Sequence, residues 1–371
     1  MAWYLRNTWY AAAFEQELDG EFLARTICDV PLVLFRKADG SFAAIHDRCP
    51  HRFVPLSMGK RVGDTMQCGY HGLRFAGDGT CAELPFEHGQ ARPDVCVDAY
   101  PVVGRDTIVW IWMGDADKAD PALIPDYWPL RDPEMQSVTG VSHLRCNYQI
   151  LSDNLLDLSH VHILHPGVHE GSDFAKFRNE VSVEGNTVWS MLYRPGYALT
   201  ELKRQMWGLT GDTCDGQGHS RWIAPGVMLV ETAYWQAGTE GREGMVKMPS
   251  THLLTPETEF STHYLWASSH NYGSSHGIPG NADLIRTIFE TQDGPMAEAQ
   301  QRAMGTETDL LKLHPAILKA DKAGVLARRI LQRLIREENG GSTVAHAEPL
   351  PRNANGKLIK SNVREWLAKV E

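Results

Sequence analysis

Cys49-Pro-His-Arg-Phe-Val-Pro-Leu-Ser57 and Cys68-Gly-Tyr-His-Gly-Leu73 decide how the first third of the chain is read. Together they give C-x-H and, with 16 residues between His51 and Cys68, C-x2-H. Each pair mixes one thiol with one imidazole. The thiolates of Cys49 and Cys68 can hold one iron of a [2Fe-2S] cluster and the imidazoles of His51 and His71 the other. Neutral histidine ligands raise the reduction potential above that of an all-thiolate cluster. Pro50, Pro55, Gly69 and Gly72 supply the tight turns such loops need. A zinc site is the competing reading, but zinc fingers place their cysteines as one close pair and their histidines as another.

Working outward, residues Glu21 to Trp112 read as short β-branched and aromatic runs, such as Pro31-Leu-Val-Leu-Phe35 and Thr107-Ile-Val-Trp-Ile-Trp112. Turn signals at Ala38-Asp-Gly40 and Gly77-Asp-Gly79 separate them. This predicts an all-β N-terminal domain over 1–115. A stretch rich in Asp and Pro, 116–136, reads as a linker. Residues 137–371 mix the two periodicities. Leu151–Leu164, Asp283–Met304 and Val325–Glu338 read as helices, whereas Thr187–Tyr193 and Phe260–Trp266 alternate as strands do. The expectation is an α+β second domain, an antiparallel sheet with helices on one side.

Composition narrows the class. A chain of 371 residues exceeds the usual size of one hydrophobic core, and 43% hydrophobic with 22% charged residues is ordinary for a folded protein. A formal charge of -10 without a basic cluster argues against nucleic acid as a partner. The start, Met1-Ala-Trp-Tyr-Leu-Arg6, lacks the order of a signal peptide, and no run of about 18 apolar residues exists, so a cytoplasmic protein away from membranes is expected. Seven scattered cysteines fit metal binding better than disulfides. Cys81 and Cys96 fall outside the motif and read as ordinary buried thiols. The tail 350–360 faintly resembles a lysine motif of adenylate-forming enzymes and reads as coincidence or an appended tail.

A second metal motif lies in Asn154-Leu-Leu-Asp157-Leu-Ser-His160-Val-His-Ile-Leu-His165-Pro166-Gly167. Asp157 and His160, three apart, would share a helix face. His165 precedes a proline, which disfavours the α conformation, so it should end the helix and turn back toward His160. Two histidines can then converge on one metal. A carboxylate would complete the facial arrangement that leaves positions open for oxygen on Fe(II). Asp293 and Glu290, in Phe289-Glu-Thr-Gln-Asp-Gly-Pro-Met-Ala-Glu-Ala-Gln-Gln301, are the candidates.

With both motifs in one chain, the sequence resembles the Rieske non-haem iron oxygenases, specifically the oxygenase components of the vanillate and dicamba O-demethylase family. Asn7-Thr-Trp-Tyr10, Trp110-Ile-Trp-Met-Gly-Asp115, Arg221-Trp-Ile-Ala-Pro-Gly226, His252-Leu-Leu-Thr-Pro-Glu-Thr258 and Leu326-Ala-Arg-Arg-Ile-Leu331 extend the likeness over nearly the whole chain. The resemblance implies a Rieske domain followed by a helix-grip (START-like) catalytic domain, assembled as a head-to-tail homotrimer. It selects His160 and His165 over His162, because D-x2-H-x4-H is the family spacing. It prefers Asp293 as third ligand and leaves Glu290 as a solvated helix-face carboxylate.

It further implies that Asp157 bridges His71 of one subunit to His160 of the next, a carboxylate on the second ring nitrogen fixing a ligand's orientation. The plainer alternative is an aspartate paired only with His160. Asn154 is implied beside the iron, and His252 at a position that meets the substrate's acidic group, although a satisfied sheet histidine is an equal reading. Val230 and His270 stand where the family carries other side chains.

The chain offers no GxGxxG turn, flavin site or four-cysteine cluster, so NADH would be used only through a separate reductase or ferredoxin. The resemblance implies that O2 and two electrons hydroxylate the methyl carbon of a methoxylated aromatic acid. The hemiacetal collapses to a phenol and formaldehyde, and the second oxygen atom leaves as water. Hydroxylation or N-demethylation of another small aromatic is the nearest alternative. A Rieske electron carrier is the remote one, since it needs nothing beyond residue 136.

Overall fold

The Gly, Pro and Asp punctuation of the first third breaks the chain into short antiparallel strands. The computed structural model describes residues 4–85, 94–165, 171–239, 244–271 and 286–340. The N-terminal unit contains β1 (Trp9–Phe14), β2 (Leu23–Ile27), β3 (Val30–Arg36), β4 (Phe42–His46), β5 (Lys60–Val62), β6 (Thr65–Gln67), β7 (Arg74–Ala76), β8 (Cys81–Glu83), β9 (Ala99–Tyr100), β10 (Val102–Arg105) and β11 (Ile108–Trp112). Among the described residues they form sheets β1-β11-β10, β2-β3-β4-β9 and β5-β6-β7-β8. The last sheet presents the two Cys/His loops, one ahead of β5 and one between β6 and β7. Val33, Phe35, Ile45, Leu56, Met66 and Phe75 pack with Cys49 and Cys68 in the core beneath them.

Among the described residues the second unit is built on seven antiparallel strands in the order β12-β18-β17-β16-β15-β14-β13. In chain order these are β12 (Gln136–Leu144), β13 (Arg178–Glu184), β14 (Thr187–Ala198), β15 (Thr213–Ile223), β16 (Val227–Gln236), β17 (Val246–Thr258) and β18 (Ser261–His270). Among the described residues its helices are α1 (Tyr148–Leu156), α2 (Val161–Leu164), α3 (Glu201–Trp207), α4 (Gly294–Met304) and α5 (Lys322–Glu338). Alternation along the strands sorts the side chains by face. Trp222, Met228, Leu254, Tyr264 and Trp266 share a core with α1, α4 and α5. Val227, Leu229, Leu253, Leu265 and Ala267 instead pack on Trp9, Ala11, Ile108 and Trp110 of β1 and β11.

One sheet face therefore carries the helices and the other the N-terminal unit. Segment 116–136 runs along this seam as short 3-10 turns, with Ile124 and Tyr127 buried and the Trp9 indole donating to the Asp120 carbonyl at 2.8 Å. No helix among the described residues is long and apolar enough to cross a membrane.

Buried polar contacts fix these elements. On α5, Ala323, Leu326, Ala327, Ile330 and Leu331 turn inward, and the buried Arg328 pairs with Asp153 of α1 at 2.7 Å. Burial pushes the Asp153 carboxyl up and Arg328 only partly counters it. Across the seam, the Cys28 amide donates to the Pro256 carbonyl at 2.8 Å, Thr255 Oγ1 to the Ala11 carbonyl at 2.7 Å, and His263 Nε2 to the Thr26 carbonyl at 3.0 Å. Burial, with Arg25 nearby, pulls His263 down to about 4.

Between pH 6.5 and 4 the unfolded chain protonates this histidine while the folded chain resists. Stability contributed by neutral His263 is present above that window and lost as pH falls through it, on the order of 2 to 3 kcal/mol. Acid unfolding of His263→Gln should show a correspondingly shallower loss over the same range; an unchanged slope would assign the effect elsewhere.

Several local expectations are corrected. The helix expected over Leu151–Leu164 is broken: α1 ends at Asp157, and only the short α2 follows. The Asp157 carboxylate accepts the Ser159 amide at 2.9 Å, a local turn that competes with helix continuation. Asp157 and His160 are therefore not neighbours on a continuous helix face. The Thr255-Pro256-Glu257 stretch carries a turn signal, yet His252 lies inside β17, which runs through Pro256 to Thr258. Cys81 is buried as expected, but Cys96 is exposed. The expected helix start at Asp283 and the tail 350–360 lie outside the described residues.

Candidate metal centres

The first centre is assembled by two loops that touch through glycine. A Cβ at Gly59 would lie 1.9 Å from the Gln67 carbonyl oxygen, and one at Gly69 would lie 2.7 Å from that of Met58. Only glycine lets the loops close to this distance. Cys49 and Cys68 are buried at their bases, while His51 is exposed at the tip with its ring centroid 4.5 Å from that of the half-buried His71. Burial pushes the Cys49 thiol up to about 11, the adjacent Cys68 adding to it, although the His51 and Arg52 amides point at its sulfur and pull the other way. Two buried thiols side by side, met by amides and by a pair of imidazoles, fit a Rieske [2Fe-2S] cluster: the irons' positive charge is what would hold both sulfurs as thiolates.

The second centre sits where α1 breaks and α4 begins. Chain direction changes at Asp157, α2 follows His160, and His165 closes it. Opposite, Phe289–Asp293 forms a single wide π turn before α4. Wide turns of this kind displace side chains from the regular helix surface. This one brings Asp293, 5% exposed, against both histidines. His160 Nε2 lies 3.4 Å from Asp293 Oδ1 and His165 Nε2 lies 3.4 Å from Oδ2. Ligand atoms of all three lie within 4.8 Å of one another.

The other ring nitrogens are occupied, which turns Nε2 of each histidine inward. His165 Nδ1 meets Gln292 Oε1 at 2.7 Å, and His160 Nδ1 meets the main-chain carbonyl of Asp157 at 2.5 Å. Burial pulls His160 down, but the Asp293 carboxylate and the Asp157 carbonyl outweigh it and hold its pKa above the ordinary value. A site that draws positive charge onto a histidine facing a buried carboxylate fits a divalent cation, and two histidines with one carboxylate fit iron(II).

The remaining expectations sort out as follows. Asn154 Nδ2 donates to Asp293 Oδ1 at 3.1 Å, so it orients that carboxylate. Glu290 is exposed and accepts from Ser142 Oγ at 3.1 Å, outside the cluster. His162 is exposed and lies against Phe174, its ring centroid 4.3 Å away. The link from Asp157 to His160 runs through the main chain, not the carboxylate, because the chain leaves the helix there and frees its carbonyl.

His252 is the satisfied sheet histidine of the two alternatives. Its Nε2 meets Ser250 Oγ at 2.8 Å, its Nδ1 meets the Tyr264 hydroxyl at 2.6 Å, and burial pulls it down to about 3. Gln292, Ser250 and Tyr264 were not marked by any sequence signal. Only Gln292, next to a predicted ligand, could have been suspected.

Comparison with known proteins agrees with this geometry. Residues 8–101 match the Rieske [2Fe-2S] domain and residues 144–337 the Vanillate O-demethylase oxygenase C-terminal domain. The oxygenase component of dicamba O-demethylase from Stenotrophomonas maltophilia is 36% identical over 89% of this chain and 98% of its own length. That of chloroacetanilide N-alkylformylase from Rhizorhabdus wittichii is 36% identical over 92% and 99%. The crystal structure of dicamba monooxygenase bound to 3,6-dichlorosalicylic acid superposes with a TM-score of 0.82, covering 91% of this chain and 99% of that one. A Cys2His2 loop pair on a small β unit, a His2Asp site on a seven-stranded α+β unit, and full-length relatives of the same build place the chain in the Rieske non-haem iron oxygenases, as an oxygenase component of the vanillate O-demethylase family.

Proposed function

We propose that this oxygenase removes a methyl group from a methoxylated aromatic acid, giving a phenol and formaldehyde. The pairing of the Cys49/His51/Cys68/His71 tip with the His160/His165/Asp293 site in a relative of dicamba O-demethylase carries the reading. When bound, the cluster and the iron supply single-electron transfer and O2 activation. The chain's own residues hold the reaction in place. Asn154 and Gln292 aim Asp293 and His165, the Asp157 carbonyl aims His160, and the Val230, Ser250 and Tyr264 side of the sheet excludes water.

Electrons come from NADH through a separate reductase or ferredoxin, since no nucleotide-binding turn is evident in the sequence. The acting unit is a homotrimer, in which the cluster of one subunit serves the iron of its neighbour and Asp157 lies at the joint. Phe53, Met58 and Tyr70, each more than 60% exposed around the histidine tip, suit such a contact. So does the groove of about 910 Å³ beginning at Leu158 and Ser159. Within this reading, 1–115 receives electrons, 116–136 connects and 137–371 catalyses, in the cytoplasm.

The reading is tested by incubating the protein with a Rieske reductase, NADH and a panel of methoxybenzoates. Formaldehyde in step with NADH use is expected; none from any member overturns demethylation. The equal identity to a chloroacetanilide N-alkylformylase favours N-dealkylation as the second reading, which formaldehyde from N-methylanilines alone would support.

A further inference from the structure

Arg194 is a buried cation with no anion beside it among the described residues. It lies on β14, 5% exposed, and among the described residues no carboxylate reaches its guanidinium. Burying such a charge is costly unless it is paired. Nη1 donates to the Gln217 carbonyl at 2.9 Å and to the Tyr234 hydroxyl at 3.4 Å, and the group stands 5.8 Å from the centre of the Tyr234 ring. The other edge is idle. Nε is buried without a partner, and among the described residues the hydrogen bonds of the guanidinium are made by Nη1 alone. Nε and Nη2 form the side-on fork that meets two oxygens of a carboxylate or sulfonate in parallel.

The sheet beneath is cleared for this group. A Cβ at Gly218 would lie 2.5 Å from Arg194 Nη2, and one at Gly216 would lie 2.5 Å from the Tyr234 ring. Neither glycine has a positive φ, so the backbone does not require them. Glycine inside a strand marks a place where another group comes close.

Strand register relates this fork to the iron ligands. Across the helix-facing side run the rows Trp222–Met228–His252–Trp266, Ser220–Val230–Ser250–Ser268 and Gly218–Thr232–Met248. Successive rows are about 7 Å apart. Phe289, which opens the turn ending at Asp293, lies 5.6 Å from His252. The Ser220 hydroxyl of the second row holds the Leu155 carbonyl of α1, just ahead of His160. The Arg194 guanidinium covers Gly218 in the third. The side chains of the middle row, three serines and Val230, lie between it and the row of His252.

We propose that Arg194 is the specificity-determining residue, its free fork binding the anionic substituent of an aromatic substrate whose methoxy group faces the iron ligands. This rests on the demethylase reading and deepens it. His252 cannot take that part, because Ser250 and Tyr264 occupy both its nitrogens and burial keeps it neutral.

The test is equilibrium binding by calorimetry to the holoprotein, using 2-, 3- and 4-methoxybenzoates, the matching sulfonates and the uncharged benzamides. At least one anion should bind about 30-fold or more tightly than its amide, and Arg194→Gln should bring that anion to the amide's level while amide binding stays unchanged. Carboxylate and sulfonate arms report which anion is preferred. Gly218→Ala should weaken the anion alone, which keeps the test open if Arg194→Gln does not fold. Equal binding of anion and amide, no binding of any anion, or equal loss of both in the variants overturns the proposal. Selective anion binding without formaldehyde would instead fail the demethylase reading, and formaldehyde undiminished in Arg194→Gln would fail the anion site alone.

Discussion

Asp293→Ala retains the visible absorption of the iron–sulfur cluster, holds about two irons per chain in place of about three, and does not turn over. Asp293 is the single carboxylate among the described residues that meets both His160 and His165, at 3.4 Å each, and Asn154 fixes its orientation from the other side. Removing it leaves two imidazoles and no anion to balance a divalent charge, so affinity collapses rather than weakens. The cluster would be held by Cys49, His51, Cys68 and His71 on separate loops, and its spectrum should not respond. Glu290→Ala is the control, since Glu290 is exposed and bonds Ser142. Three irons in Asp293→Ala, or loss of iron in Glu290→Ala, would reassign the third ligand.

What the sequence disclosed here was local. Cys49-x-His51 and Cys68-x2-His71 carry their geometry in adjacent residues and turn formers, so both the cluster and the β scaffold under it could be read directly. Strands such as Thr187–Tyr193 show their alternation because one face meets Val188 and Ser190 packing while the other does not, and α5 shows its stripe for the same reason. Where tertiary contacts decide, the pattern misleads. A helical period continues through Asp157, but its side chain captures the Ser159 amide and the helix stops.

β17 passes through Pro256 because pairing with β18 and the Cys28 amide on the Pro256 carbonyl hold it extended against the turn signal. Segment 116–136 has the composition of a free connector, yet Ile124 and Tyr127 are buried against the seam between the two units. Arg194 falls outside the strand expected over Thr187–Tyr193; only the fold, which runs β14 on to Ala198 and brings the guanidinium over Gly218, makes it a buried charge.

Asp157→Asn keeps about three irons per chain and loses about 100-fold or more in turnover. Both parts follow from how Asp157 is held. Its main-chain carbonyl, not its carboxylate, takes His160 Nδ1 at 2.5 Å, and its Oδ1 accepts the Ser159 amide at 2.9 Å. Asparagine preserves both acceptors, so α1 ends at the same place and His160, His165 and Asp293 stay aligned. What disappears is the negative charge at the break between α1 and α2, next to the groove at Leu158 and Ser159.

If that charge receives a ring N–H from His71 of a neighbouring subunit, its removal uncouples the two centres without dismantling either one. Reduction of the cluster by the reductase should then proceed at the normal rate while its reoxidation in the presence of O2 and substrate slows, a separation that stopped-flow absorbance resolves. Loss of the mononuclear iron in this variant would make Asp157 a support for His160 alone. Undiminished turnover with both metals in place would remove it from the electron path.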